Sequence, residues 1–267
     1  MAIGLLLVFP QGANVDSGFY ASCAGLRAQS QALEVLGHNL ANLNTAGFRG
    51  QETTFQSLLA MSRPTSANVL SNVLNTATNN FGVLEGTRLD TTAGNLAATG
   101  NPLDVAIEGS GFFAIQTARG TRYTRNGSFQ MSSSGQLVTQ AGDPVLGNPA
   151  SGTNATITIP AGEVSIAPDG TISVNGAVAG RLQLVDFAPG TALTSEGGTL
   201  IAAPEGSAQP AQQSSLKQGA LESSNVNSIA SVVELIGVQR QAEMLQRAMS
   251  LFDTEFNQIA SSQLAKV

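Results

Sequence analysis

The chain has no tryptophan, a single cysteine, a single histidine and few charges: 11% of its 267 residues are charged and 5% are aromatic. Each scarcity removes a class of function. Cys23 stands alone, which excludes an internal disulfide and the usual Cys-rich zinc sites and leaves the role of a small buried hydrophobe. His38 has no second histidine with which to share a metal and reads as a structural residue. The two lie fifteen residues apart in one segment of helical periodicity. On a straight helix that is about 22 Å, too far for a nucleophile and its base. Catalysis needs a positioned base, nucleophile or metal, and no serine sits in a G-x-S-x-G elbow. Gly109-Ser110-Gly111 lacks the further glycine and the Lys-Ser/Thr of a phosphate loop, and Phe112 and Phe113 stand where a cradle needs small residues, so it reads as a tight turn. No enzyme activity, cofactor or metal is expected.

Basic residues are also few. Lys and Arg number 12 against 18 acidic residues, for a net charge of -6. Binding a polyanion is driven by cations that release its counterions, so nucleic acid is not an expected partner. Arg119, Arg122 and Arg125 form the one basic cluster, expected to be a solvated face, and Asp104 and Glu108 read as solvated carboxylates on the polar side of a strand. The apolar run Ile3 to Phe9 is far short of the roughly 20 residues of a membrane span. No Lys or Arg precedes Arg27 to give the basic start of a signal peptide. Organised patterning begins at Asp16, so residues 1–14 read as an apolar extension, with Val15 a candidate for the true start.

What is present is 42% hydrophobic residues, enough for a core, in a background of Gly, Ser, Thr, Asn and Ala that suits strands and tight turns. At the N-terminal end, residues 15–60, Phe19, Leu26, Leu33 and Leu40 recur every seven positions, and Leu36 and Leu43 add a second row. That is the stripe of a coiled-coil seam, on a helix expected to stop near Thr45-Ala46-Gly47. At the other end, residues 225–267, a helix is expected from Asn227 to Gln263. Its apolar face is Ile229, Val233, Ile236, Met244, Ala248, Leu251, Phe252 and Ile259, interrupted by Arg240, Glu243 and Arg247. Asn225, Asn227 or Ser228 is placed to cap it. Amphipathic helices must bury their stripes against something.

Between the ends the period changes to two. Leu103, Val105 and Ile107 alternate with Asp104, Ala106 and Glu108, the pattern of a half-buried strand. Asn126-Gly127 between Tyr123 and Phe129 predicts a hairpin turn, as do Asp169-Gly170 and Asn175-Gly176 farther on. Residues 99–202 are therefore expected to form a central, mostly antiparallel β domain. A polar linker over 61–98 precedes it, and a linker with a return strand over 203–224 follows it. The expected class is α+β, with long terminal helices forming a coiled-coil layer.

Five blocks of the sequence, in order, resemble the signatures of flagellar rod, hook and hook-associated proteins. His38-Asn39-Leu40-Ala41-Asn42-Leu43-Asn44-Thr45-Ala46-Gly47-Phe48-Arg49 is similar to the family's N-terminal N-N-L-A-N-x-x-T-x-G-[FY]-[KR], departing at His38. Thr99 to Phe113 resembles T-G-N-x-L-D-x-A-I-x-G-x-G-F-F, which opens the family's β domain, and Tyr123 to Phe129 resembles Y-T-R-x-G-x-F. Gly219-Ala220-Leu221-Glu222-Ser223-Ser224-Asn225-Val226 and Gln239-Arg240-Gln241-Ala242-Glu243 look like the C-terminal G-x-L-E-x-S-N-V and Q-R-x-x-E blocks.

The resemblance implies a structural subunit of the flagellar basal-body rod that polymerises through its terminal helices into a tubular drive shaft. Its implied partners are copies of itself, other rod and hook-family proteins, and the flagellar export apparatus. Its implied place is the periplasmic rod, reached without a cleaved signal peptide. The Asp16-Ser17-Gly18-Phe19-Tyr20 opening looks like the proximal-rod branch, with the distal-rod branch as the alternative. A secreted β-rich adhesin would share the Gly, Thr and Asn content but leaves two terminal stripes without a role.

Overall fold

The computed structural model describes residues 13–56, 83–147 and 155–264. Most of the expected apolar extension and part of the expected linker, at 1–12 and 57–82, lie outside the described residues, as do the side chains of Phe19, Phe252 and Ile259. The chain divides into two compact units, one of Met1–Gly37, Thr53–Gly86 and Val232–Val267, the other of His38–Glu52 and Thr87–Ser231.

Helix α1 covers Ala13–Ala41, a stretch richest in Ala and Leu with Val15 and Val35 its only β-branched residues. It ends where Asn42 turns back to donate from Nδ2 to the His38 carbonyl at 2.8 Å, satisfying one of the last-turn acceptors. Turns then carry the chain to Gly47, whose φ of 67° is left-handed. Helix α2 covers Ser228–Leu264. Of the three candidate caps, Asn227 performs the role, its Oδ1 accepting from Ile229 N at 3.0 Å and Ala230 N at 3.1 Å.

The second unit is built on sheet. Its largest sheet has six antiparallel strands in the spatial order Thr194–Ser195, Ile201–Ala202, Gly120–Thr124, Phe112–Thr117, Leu184–Phe187, Ala208–Pro210. Successive residues of a strand face opposite sides, and the central strand is apolar on both. Phe113 and Ile115 enter a core with Val105, Phe129, Leu137, Val145 and Ile172, while Phe112 joins Leu89, Val185 and Ile201 on the other side. A three-stranded sheet, Val164–Ile166, Thr171–Val174 and Ala177–Arg181, is closed by the expected turn at Asn175-Gly176, with φ of 51° and 82°. Both central residues are left-handed, as a tight hairpin requires. Two shorter pairings join early strands to late ones: Val105–Glu108 with Ser215–Gln218, and Leu96–Ala98 with Ala220–Glu222.

Three expectations are corrected. The first is the class. Helix accounts for 29 and 37 of the 267 residues, and the described chain is mostly β-sheet, not an α+β body wrapped in a coiled-coil layer. Coverage along the two expected apolar stripes is uneven. In α1 the buried residues among those described are Gly25, Ala28, Ala32, Leu36 and Asn39, so Leu36 of the expected stripe is covered, while Leu26, Leu33, Leu40 and, just past the helix, Leu43 are half-buried. In α2 five residues of the expected stripe are bare, Ile229 77% exposed, Val233 65%, Ile236 45%, Met244 61% and Leu251 66%, while Ala248 is half-buried. Heptad spacing identifies an apolar stripe; it does not say that another helix covers it.

The second correction concerns Asn126-Gly127, which is not a hairpin tip. Gly120–Thr124 pairs with Phe112–Thr117, and Phe129–Met131 pairs with Leu137–Thr139, so the dipeptide carries the chain from one sheet to another. Gly127 is required by close approach, since a Cβ there would overlap the Val105 carbonyl. The third concerns Asp104, which is 6% exposed rather than solvated. Thr99 Oγ1 donates to it at 2.7 Å and Asn101 Nδ2 at 3.0 Å, so its charge is held by local donors.

Candidate functional site

Three charged side chains from distant parts of the sequence meet in the second unit. Pairing of Ala220–Glu222 with Leu96–Ala98 sets Glu222 opposite Leu96, next to the segment 90–95 that leads into that strand. There its Oε1 accepts from Gly94 N at 2.7 Å. Arg49 Nη2 lies 2.7 Å from the same Oε1, and Arg49 Nη1 donates to the Thr92 carbonyl. Arg125 Nη1 donates to Oε2 at 3.1 Å. All three are buried: Arg49 and Arg125 are 3% exposed and Glu222 1%.

Two guanidinium groups share one carboxylate, and the surplus positive charge is met by dipoles. Arg125 Nη2 donates to the Gly109 carbonyl at 2.7 Å and Nη1 to that of Ile107 at 3.3 Å, while the guanidinium lies 5.3 Å from the centre of the Phe112 ring. Burial pulls the Arg125 ionisation down, against the attraction of Glu222. The planar, forked guanidinium suits such a site, because several acceptors can be reached from one fixed group. Arg125 is thus not part of a solvated face. Its two expected companions behave differently: Arg122 makes a two-pronged pair with Glu196 at 2.8 and 3.0 Å, and Arg119 reaches the same carboxylate at 3.4 Å with its side chain 70% exposed.

The N-terminal signature docks beside this cluster. Asn39 is buried, and its amide both donates to the Gln51 carbonyl at 2.8 Å and accepts from Gln51 N at 2.9 Å. Thr45 Oγ1 donates to Asn42 Oδ1 at 3.1 Å, bracing the turn after α1. Gly47 N donates to the Glu222 main-chain carbonyl at 2.7 Å, and a side chain on Gly47 would overlap the Arg125–Asn126 backbone. Phe48 is 1% exposed and packs its ring 5.4 Å from that of His38, which accordingly has a structural setting. Leu40 is half-buried and Ala41 exposed. From the C-terminal side, Asn225 Oδ1 accepts from Gly50 N at 2.8 Å and its Nδ2 donates to the carbonyls of Asp90 and Thr92, both at 3.1 Å; Val226 follows, half-buried.

The structure therefore brings together Asn39, Asn42, Thr45, Gly47, Phe48, Asn225 and Val226. It does not bring in Gln239, Arg240 or Glu243, which are exposed on α2, where Glu243 lies 3.9 Å from Arg247. Sequence patterning marks Arg125 as part of a solvated face, places Arg49 and Glu222 within the family blocks alone, and does not join the three. One signal was available: in a chain only 11% charged, Leu221-Glu222 places a carboxylate inside a strand.

Helix α2 carries a second feature. Leu235, Val238, Ala242, Leu245 and Ala248 form a half-buried line. At about 100° per residue the exposed Ile229, Val233, Ile236, Met244 and Leu251 lie on the opposite side, with Arg240 and Arg247 among them. The apolar face expected from sequence holds all five exposed residues and, of the covered line, Ala248 alone.

Three family models match the chain. "Flagella basal body rod protein" matches residues 19–49, "Flagellar hook protein FlgE/F/G D1 domain" 106–174, and "Flagellar basal body rod FlgEFG protein C-terminal" 217–261. Each matched block contributes one member of the ion cluster: Arg49, Arg125 and Glu222. Among curated proteins, the chain is similar to the flagellar basal-body rod protein FlgF of Rhizobium meliloti, 34% identical over 229 residues, covering 85% of this chain and 89% of the relative. It is similar to FlgG of Bacillus subtilis, 34% identical over 240 residues, with 83% and 89% covered. It is also similar to FlgF of Escherichia coli, 33% identical over 255 residues, with 88% and 94% covered.

Proposed function

The chain belongs to the flagellar basal-body rod protein family, and on that premise we propose that it is a structural subunit of the rod, assembling with copies of itself and with other rod and hook-family proteins. The observation that carries the assembly reading is the bare apolar line of α2. Burying one such side chain contributes about 1.5–3 kcal/mol, so five of them favour association strongly before ordering costs are subtracted. Contacts repeated head-to-tail without closing produce a helical filament, the form a drive shaft requires. A structural role needs no chemistry, and the reading includes none. The place is the basal body, with delivery by the flagellar export apparatus following from the family. FlgF and FlgG relatives match at similar identity, and the Asp16 to Tyr20 opening favours the proximal-rod branch.

The test is Ile236→Asp in a strain lacking the native protein. The variant is expected to accumulate as a folded monomer yet to be missing from purified basal bodies seen by electron microscopy, with motility lost. Normal basal bodies and swimming overturn the assembly reading.

A further inference from the structure

A buried ion cluster such as Arg49–Glu222–Arg125 is a weak source of net stability, because taking the charges out of water offsets most of their attraction. It is a strong source of mutual dependence. Removing one member leaves the others charged, buried and unmatched, and here the imbalance is built in, with two cations on one carboxylate and neither Arg49 Nε nor Arg125 Nε meeting an acceptor. Two stretches of chain, far apart in sequence, end on that carboxylate. The N-terminal signature arrives through Arg49 and through Gly47 N on the Glu222 main chain. The segment leading into α2 leaves directly from Glu222, with Ser223 N bonded to the Asn95 carbonyl and Asn225 bridging Gly50, Asp90 and Thr92. Both segments thus contribute contacts to the 47–52 region.

We propose that Glu222 is a positioning residue that couples the two, so that the N-terminal signature and the root of α2 dock together and release together. The core around Phe113, Ile115, Leu137 and Val145 does not take part, since these side chains pack without contribution from the carboxylate; of their strand, Phe112 lies against the Arg125 guanidinium. Coupling of this kind is reciprocal: whatever steadies the root of α2 steadies the signature by the same factor. The proposal stands on the monomer and does not need the rod reading, so the two fail separately.

The test is amide hydrogen exchange by mass spectrometry on the full-length monomer, comparing wild type with Glu222→Gln, which keeps the shape and removes the charge, and Glu222→Asp, which keeps the charge on a shorter arm. In Glu222→Gln, exchange over residues 47–52 and 223–231 is expected to rise about tenfold or more in both, with residues 113–117 and 137–147 unchanged. In Glu222→Asp both segments are expected to return together toward wild-type protection. Loosening of one segment alone, loosening of residues 113–117 to the same extent, or a Glu222→Asp variant that recovers one segment without the other overturns the coupling.

Discussion

Asn39 and Gln51 exchange a reciprocal pair of hydrogen bonds, amide Nδ2 to carbonyl at 2.8 Å and main-chain N to Oδ1 at 2.9 Å. A side chain on the last turns of α1 thus does for Gln51 what a neighbouring strand would do. Only a carboxamide has the donor and the acceptor at this spacing. Replacing Asn39 by Ala leaves both Gln51 groups without partners. The expected loss is about 1–3 kcal/mol, measured as a lower urea midpoint. Asn39→Asp is expected to be worse, since it places a second acceptor against the Gln51 carbonyl.

Gly47 has a left-handed φ of 67° and no room for a Cβ beside Asn126. Gly47→Ala is expected to cost at least about 1 kcal/mol from the backbone alone, with further loss from overlap. The check is thermal melting together with hydrogen exchange over 47–52.

Ile115 is 0% exposed in the core of the six-stranded sheet. Ile115→Ala should lower stability by about 2–5 kcal/mol through lost burial and the cavity left behind. Urea unfolding followed by far-ultraviolet circular dichroism measures it.

Glu196 has its carboxyl held below the usual carboxylate range, first by the hydrogen bonds from Arg122 and then by the charges of Arg122 and Arg119. A group whose ionisation is depressed by folding contributes stability above its unfolded pKa, about 4.3 for Glu, and loses it as pH falls through the folded value. Glu196→Gln is therefore expected to be less stable than wild type at pH 7, with the difference closing as pH drops below about 4. Urea midpoints measured across that range test it.

Local rules read well where the chain decides its own conformation. The cap at Asn227 and the turn at Asn175-Gly176 follow from side-chain reach and left-handed backbone within a few residues. The same turn rule fails at Asn126-Gly127, because the flanking strands find partners elsewhere and Gly127 is needed for close approach to Val105. The heptad leucines of α1 and the apolar line of α2 were visible as stripes, but which side is covered depends on neighbours that periodicity cannot name. The fate of the charged residues was least legible: Arg119, Arg122 and Arg125 share a spacing, yet one is solvated, one is paired at the surface and one is buried.

Sequence by itself determined the family of this protein, the scarcity of catalytic side chains, and the turns and caps whose geometry is settled within a few residues. Only the tertiary structure decided that the chain is mostly sheet, that five residues of the expected α2 stripe lie bare, and that Arg49, Arg125 and Glu222 share one buried site. The reason is separation: 76 positions separate the two arginines and 97 separate Arg125 from Glu222. Contacts over such distances are selected by the whole fold's burial and strand pairing, and no local pattern records them.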